Sequence, residues 1–288
     1  MSQTRQIPER KAATRAARTP PRRNRKRRSA FGRRIDRWRR GLRRARRRFA
    51  SAPRIVRFGV YAALAAFALV LLAGANLAYQ VARKPTEMFW PVAGVLHKRP
   101  AETWAAYGPL FRTHATATIT PELLAALAQI ESTGNPVART YWRWRASWNP
   151  LEIYAPASSA VGMFQMTDAA FEEARRYCVH RNVVVEKGCF ANALYTRVLP
   201  SHAIELASVY LDRHVAAVLR GRPATTQQKQ TLAALIHLCG PGAARRQMRS
   251  GITFAAEVRC GDHSAAGYLA KVEAMRREFA KMAAAEKS

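Results

Sequence analysis

The longest feature in the hydrophobic pattern is a run of 25 residues, Phe58 to Ala82, without a single charge. As a helix it would span about 37 Å at 1.5 Å per residue, enough to cross a hydrocarbon core of about 30 Å with some tilt. Arg57 on one side and Arg83 and Lys84 on the other suit lipid headgroups better than the ends of a helix buried in a soluble core. After this run, residues 83–118 carry Pro85, Pro91, Pro100 and Pro109 among scattered aromatics, and read as an irregular stem leading away from a bilayer. From Thr120 onward helical signals follow one another. Thr120 is an N-cap, Pro121 takes the first helical position, Glu122 faces the positive end, and the helix closes near Gly134. Further helices are predicted over Asp168 to Tyr177, over Ser201 to Leu219, and over Thr226 to Cys239, the last closed by Gly240, Pro241 and Gly242. A final helix carries Tyr268, Val272, Met275 and Phe279 at helical spacing. Alternating patterns are nearly absent apart from residues 182–186, which fit a short strand or half of a hairpin. The fold class is therefore mainly α, with a boundary order of basic tail 1–57, membrane helix 58–82, stem 83–118 and globular domain 119–288. No internal repeat is found.

Charge adds an orientation to this picture. Of the net +31, residues 1–57 hold 23 Lys and Arg against only Glu9 and Asp36. The positive-inside rule then keeps the tail in the cytoplasm and exports everything after residue 83. The tail reads as disordered, with Arg33 to Phe49 able to become helical on an anionic surface. Juxtamembrane basic residues contribute on the order of 1 kcal/mol each near anionic lipid, so the inner membrane is partner enough. An Arg-rich run also neutralises nucleic-acid phosphates, but no folded nucleic-acid module accompanies it, and Trp38, Phe31 and Phe49 are too few for a stacking platform. A cleaved signal peptide is the rival to an uncleaved anchor. The charged region preceding the apolar run is far longer than a signal n-region, which favours the anchor.

All four cysteines, Cys178, Cys189, Cys239 and Cys260, lie in the exported part, where an oxidising periplasm makes disulfides the default. Three connectivities exist. The shorter loops favour Cys178 with Cys189 and Cys239 with Cys260, without excluding the others. Zinc is the competing use, with His180 and His263 nearby, but no C-x-x-C pair is present.

On the helix after Thr120, Leu124, Leu127 and Glu131 are spaced by three and four residues, so a carboxylate shares the apolar stripe. A carboxylate against an apolar wall should have a raised pKa and be able to donate a proton near neutrality. The surrounding sequence Glu131-Ser132-Thr133-Gly134-Asn135-Pro136 is followed by Ser159-Ala160-Val161-Gly162-Met163-Phe164-Gln165-Met166, and later by Ile236-His237-Leu238-Cys239-Gly240-Pro241-Gly242. These three segments resemble the E-S-x-x-N-P, G-A-x-G-L-M-Q and A-Y-N-A-G-P-G signatures of the soluble lytic transglycosylase family. The resemblance covers roughly residues 115 to 279 and implies a domain like goose-type lysozyme.

The resemblance implies that Glu131 is the only catalytic carboxylate, acting as general acid and then base on the β-1,4 bond between N-acetylmuramic acid and N-acetylglucosamine of peptidoglycan. The product would be a 1,6-anhydro ring rather than a hydrolysed end, and no cofactor or metal is implied. Gln165 and Ser132 match family residues expected near the substrate, and Gly162 would let backbone approach the sugar. Two departures stand out. His237 replaces the usual tyrosine and Leu238 the asparagine; histidine can still donate a hydrogen bond, and it titrates near neutrality. An insertion between Pro136 and Ser159 brings Tyr141, Trp142, Trp144, Trp148 and Tyr154, of which Trp142 and Tyr154 are taken as glycan contacts, since aromatic rings stack on sugars as readily as they pack a loop. A hydrolytic muramidase would need Glu152 or Asp168 as second carboxylate. A silent glycan-binding scaffold of a secretion or other envelope machine is the non-enzymatic alternative.

Overall fold

The computed structural model describes residues 30–89, 91–189, 191–248, 258–286 and 288. The expectation of disorder in the tail before residue 30 lies outside them. The chain forms two compact units that divide at Leu69 and Val70.

The first unit contains helix α1, Ala30–Ser51, and the start of helix α2, Arg54–Arg83. Helix α1 encloses the stretch Arg33 to Phe49 in which the sequence allows a helix. Its Trp38, Leu42 and Phe49 recur every four or seven residues and so share a stripe. Phe49 meets Tyr61 edge-on at 5.3 Å. Pro53 separates the two helices, because it cannot donate to the preceding turn. Helix α2 starts four residues before the uncharged run. Its most apolar window has a mean hydropathy of 2.3 and none of that window is buried in protein, unlike the core helix of a soluble domain.

The second unit is helical around one central rod. Helix α4, Pro121–Ser132, begins as its sequence dictates, with the Thr120 hydroxyl accepting from the backbone N–H of Leu123. Residues Leu123 through Ala128 are all essentially inaccessible, and a helix apolar all round belongs in a core. Against it pack α3 (Pro100–Thr113), α6 (Pro200–Leu219) and α8 (Ala265–Ala285), while α7 (Thr226–Gln247) pairs with α6 and α8. Helix α5 is Asp168–Ala174, three residues shorter than expected because the chain turns into a hairpin at Cys178.

Helix α3 corrects the reading of residues 83–118 as an irregular stem. Pro100 occupies its first helical position, where the missing N–H has no partner to lose, and the Glu102 carboxylate accepts from the Arg99 N–H at 2.9 Å. Pro109 inside the helix forgoes one backbone bond, a cost of about 3 kcal/mol, yet burial of Trp104, Tyr107 and Phe111 on one face outweighs it. Trp104 contacts Phe111 and also Phe279 of α8. Prolines dominate the sequence pattern here; the aromatic stripe decides the structure.

Three small antiparallel hairpins complete the unit. They are β1 (Trp142–Trp144) with β2 (Tyr154–Pro156), β3 (Cys178–His180) with β4 (Val183–Val185), and β5 (Arg259–Cys260) with β6 (His263–Ser264). The second lies where residues 182–186 fit a strand, and its two-residue turn uses Arg181 and Asn182 at φ of 51° and 63°, the doubly left-handed geometry that matches strand twist. The cysteines pair as the shorter loops favour, Cys178 with Cys189 and Cys239 with Cys260.

Candidate active site

Glu131 stands one residue before the C-terminus of α4, and three elements distant in sequence bring polar groups to it. Tyr268 of α8 donates its hydroxyl to Glu131 Oε1 at 2.5 Å. His237 of α7 sets Nε2 3.3 Å from the same oxygen. His263 of β6 adds an electrostatic contribution. Helix α7 breaks three residues after His237, where Gly240 adopts φ 76° and ψ 163°; the expected stop is a kink, after which the helix resumes. The Cys239–Cys260 bond ties that kink to the hairpin bearing His263, so one covalent link fixes both histidine-bearing segments.

These neighbours overturn the expected direction of the Glu131 pKa. Burial is the largest single influence and pushes the carboxyl up. The charge and hydrogen bond of His237, the hydrogen bond of Tyr268 and the charge of His263 together outweigh it, and hold Glu131 below the usual carboxylate value. The Tyr268 phenol moves the other way, well above its ordinary range, through burial and the adjacent carboxylate; it therefore remains a donor. Replacing Tyr268 by Phe or His237 by Ala removes stabilisation of the charged form, so the Glu131 midpoint is expected to rise in each variant and further in the double variant. Carbon-13 NMR titration of the Glu131 carboxyl, identified by its loss in Glu131→Gln, measures this. A midpoint unmoved in all three variants would contradict the assignment of the shift to these partners.

Other residues singled out in the sequence serve the architecture beneath the carboxylate. The buried Ser132 hydroxyl donates to the carbonyls of Ala128 and Met163, at 3.0 and 2.8 Å, and accepts from the Asn135 N–H. It pins the 159–166 loop to the end of α4. Gln165 adopts φ 46° and gives its amide N–H groups to the carbonyls of Ala138 and Gly162. Gly162 has φ 79°, and a Cβ there would lie 2.1 Å from the Arg197 carbonyl oxygen. The glycine admits a neighbouring backbone on its Cβ side, which gives its positive φ a packing reason. The loop is thus held by local hydrogen bonds, and these bonds of Ser132 and Gln165 go to backbone groups rather than to the Glu131 carboxylate.

The aromatic insertion goes elsewhere. Trp142 donates its indole N–H to Glu87 at 2.8 Å and packs on Tyr154, which also meets Trp144. None of these partners is shared with Glu131. The two other carboxylates weighed from the sequence are likewise engaged: Glu152 pairs with Arg83 at 2.7 Å, and Asp168 with Arg197 at 2.7 Å. Among the described residues no group of three His, Cys, Asp or Glu side chains is disposed to hold a metal ion.

Sequence reasoning misses Tyr268 and His263 as site residues. Helical spacing places Tyr268 in a core stripe with Val272, Met275 and Phe279; its phenol is the available signal, since a buried tyrosine hydroxyl demands a partner. His263 enters the sequence reading only as a metal ligand. Residues 109–252, half of the chain, match the family described as transglycosylase SLT domain. No curated protein matches the chain.

Proposed function

We propose that this chain, which belongs to the transglycosylase SLT domain family, is an inner-membrane-anchored lytic transglycosylase in which Glu131 is the single catalytic acid and base. Its function is of the lytic transglycosylase type, acting on peptidoglycan. The finer reading rests on one observation: Glu131 has hydrogen-bonding partners in Tyr268 and His237, and among the described residues no carboxylate figures in the main influences on it.

In this reading Glu131 protonates the oxygen linking N-acetylmuramic acid to N-acetylglucosamine, and the bond from that oxygen to C1 breaks. The substrate's own acetamido oxygen attacks C1 in place of an enzyme nucleophile, an accepted alternative to paired carboxylates. The Glu131 carboxylate then takes the proton of the C6 hydroxyl, whose oxygen attacks C1, displaces the acetamido oxygen and closes the anhydro ring. No water is consumed and no cofactor takes part. The lowered pKa of the free site suits the second step, because the carboxylate is the favoured form. For the first step, sugar that displaces water from around Glu131 deepens its burial and pushes its carboxyl toward the protonated form. Ser132, Gly162 and Gln165 act by shaping the loop. The orientation follows the charge asymmetry: tail 1–57 cytoplasmic, span 58–82, and the catalytic domain periplasmic.

A hydrolytic muramidase is disfavoured by the arginine pairing of Glu152 and Asp168. Digestion of purified sacculi by the full chain in detergent, with products weighed by mass spectrometry, is expected to release anhydromuropeptides. Reducing ends would mean a hydrolase, and no release would mean a scaffold; either result defeats the proposal.

A further inference from the structure

The hairpin β1–β2 is bonded to the end of the apolar helix. Asn76 Nδ2 donates to the Tyr154 carbonyl at 2.9 Å, Gln80 Nε2 to the Leu151 carbonyl at 2.7 Å, and the Tyr79 hydroxyl and Arg83 guanidinium both reach Glu152 Oε1. The attachment is stiffened by Glu87, a residue 1% exposed, whose carboxylate receives the Trp142 indole and Arg139 and lies 3.3 Å from Lys84. Residues 76 to 83 occupy about 10 Å of helix, and they include the last residues of the uncharged run and its first flanking cation. In a bilayer that stretch passes from the edge of the hydrocarbon into the headgroup layer. Whatever is bonded to it lies at the same level.

The hairpin presents large rings there without protein cover. Trp148 is fully exposed, and Trp144 and Tyr141 are 74% and 71% exposed. Arg143 and Arg145, also exposed, alternate with them. Tryptophan and tyrosine favour the water–lipid boundary, where a ring meets acyl chains and its polar edge meets water, and arginines beside them match lipid phosphates. We propose that the 141–154 hairpin is a membrane-interface foot, which seats its aromatic rings in the headgroup region and fixes the domain's height over the bilayer. This rests on α2 being a membrane span. The glycan contact expected of the insertion is the alternative that the experiment distinguishes.

The four native cysteines are paired with each other, so a nitroxide can be attached through one added thiol in the full chain reconstituted into phosphatidylethanolamine–phosphatidylglycerol vesicles. Labels are placed by Trp148→Cys, by Leu71→Cys within the apolar run, and by Ala280→Cys on the exposed side of α8, and their collision rates with oxygen and with a water-soluble nickel chelate are compared. The label at 148 is expected to show an oxygen-to-nickel ratio between those at 71 and 280. A lipid-buried label at 71 with a label at 148 as wet as that at 280 would overturn the foot alone. So would a wet label at 148 that becomes immobilised on addition of glycan strands, since that marks a sugar contact. A wet label at 71 would remove the span, and the foot with it.

Discussion

Glu131→Gln is expected to fold as the parent does and to release anhydromuropeptides at least about 100-fold more slowly, since acid–base assistance typically contributes about 100- to 10,000-fold and one group here serves both steps. The amide fills the same space and can still accept from Tyr268, but it neither gives nor takes a proton. Glu152→Gln is the matched control. It weakens the pair with Arg83 and leaves the partners of Glu131 untouched, so turnover should persist. A muramidase with paired carboxylates would lose activity in both variants. Circular dichroism must show both proteins helical. A folded Glu131→Gln protein that cleaves sacculi at the parental rate would refute the mechanism.

The helix that carries Glu131 is legible to the residue at its start, because its signals are local: a threonine cap, a proline at the first position and an apolar run. The disulfides are legible by loop length for the same reason. The environment of Glu131 is not, because it is assembled from α4, α7, α8 and β6, and the sign of its pKa shift depends on which of burial and neighbouring charge is larger. An apolar stripe reveals the first and says nothing of the second. Gly162 is ambiguous in a similar way: a left-handed glycine signals close approach of something, and only the fold shows that the Arg197 carbonyl lies on its Cβ side. In the insertion, aromatic composition is informative but ambiguous, since rings that stack on sugars also pack loops and partition to lipid boundaries. What distinguishes these uses is the partner, here Asn76, Gln80 and Arg83.

Phe111→Ala is expected to lower stability by about 3–5 kcal/mol, the usual cost of emptying a phenylalanine site in a core. Phe111 is 0% exposed and contacts both Trp104 and Tyr107. Trp104 in turn meets Phe279 on the last helix, so the cavity would open between the segment read as a stem and the far end of the chain. For a body of this size the shift in Tm should be on the order of 10 °C, read by near-ultraviolet circular dichroism of the full chain in detergent. Thr113→Ala, on the exposed side of the same helix, should change stability by less than about 0.5 kcal/mol. The contrast tests the placement of the helix, because a linker outside the core would tolerate both changes equally. Loss of stability in Phe111→Ala should also reach the site, since α8 carries both Phe279 and Tyr268: the variant's activity on sacculi is expected to fall at temperatures where the parent is unaffected. Equal stability of the two variants would return residues 100–113 to a stem and sever that connection.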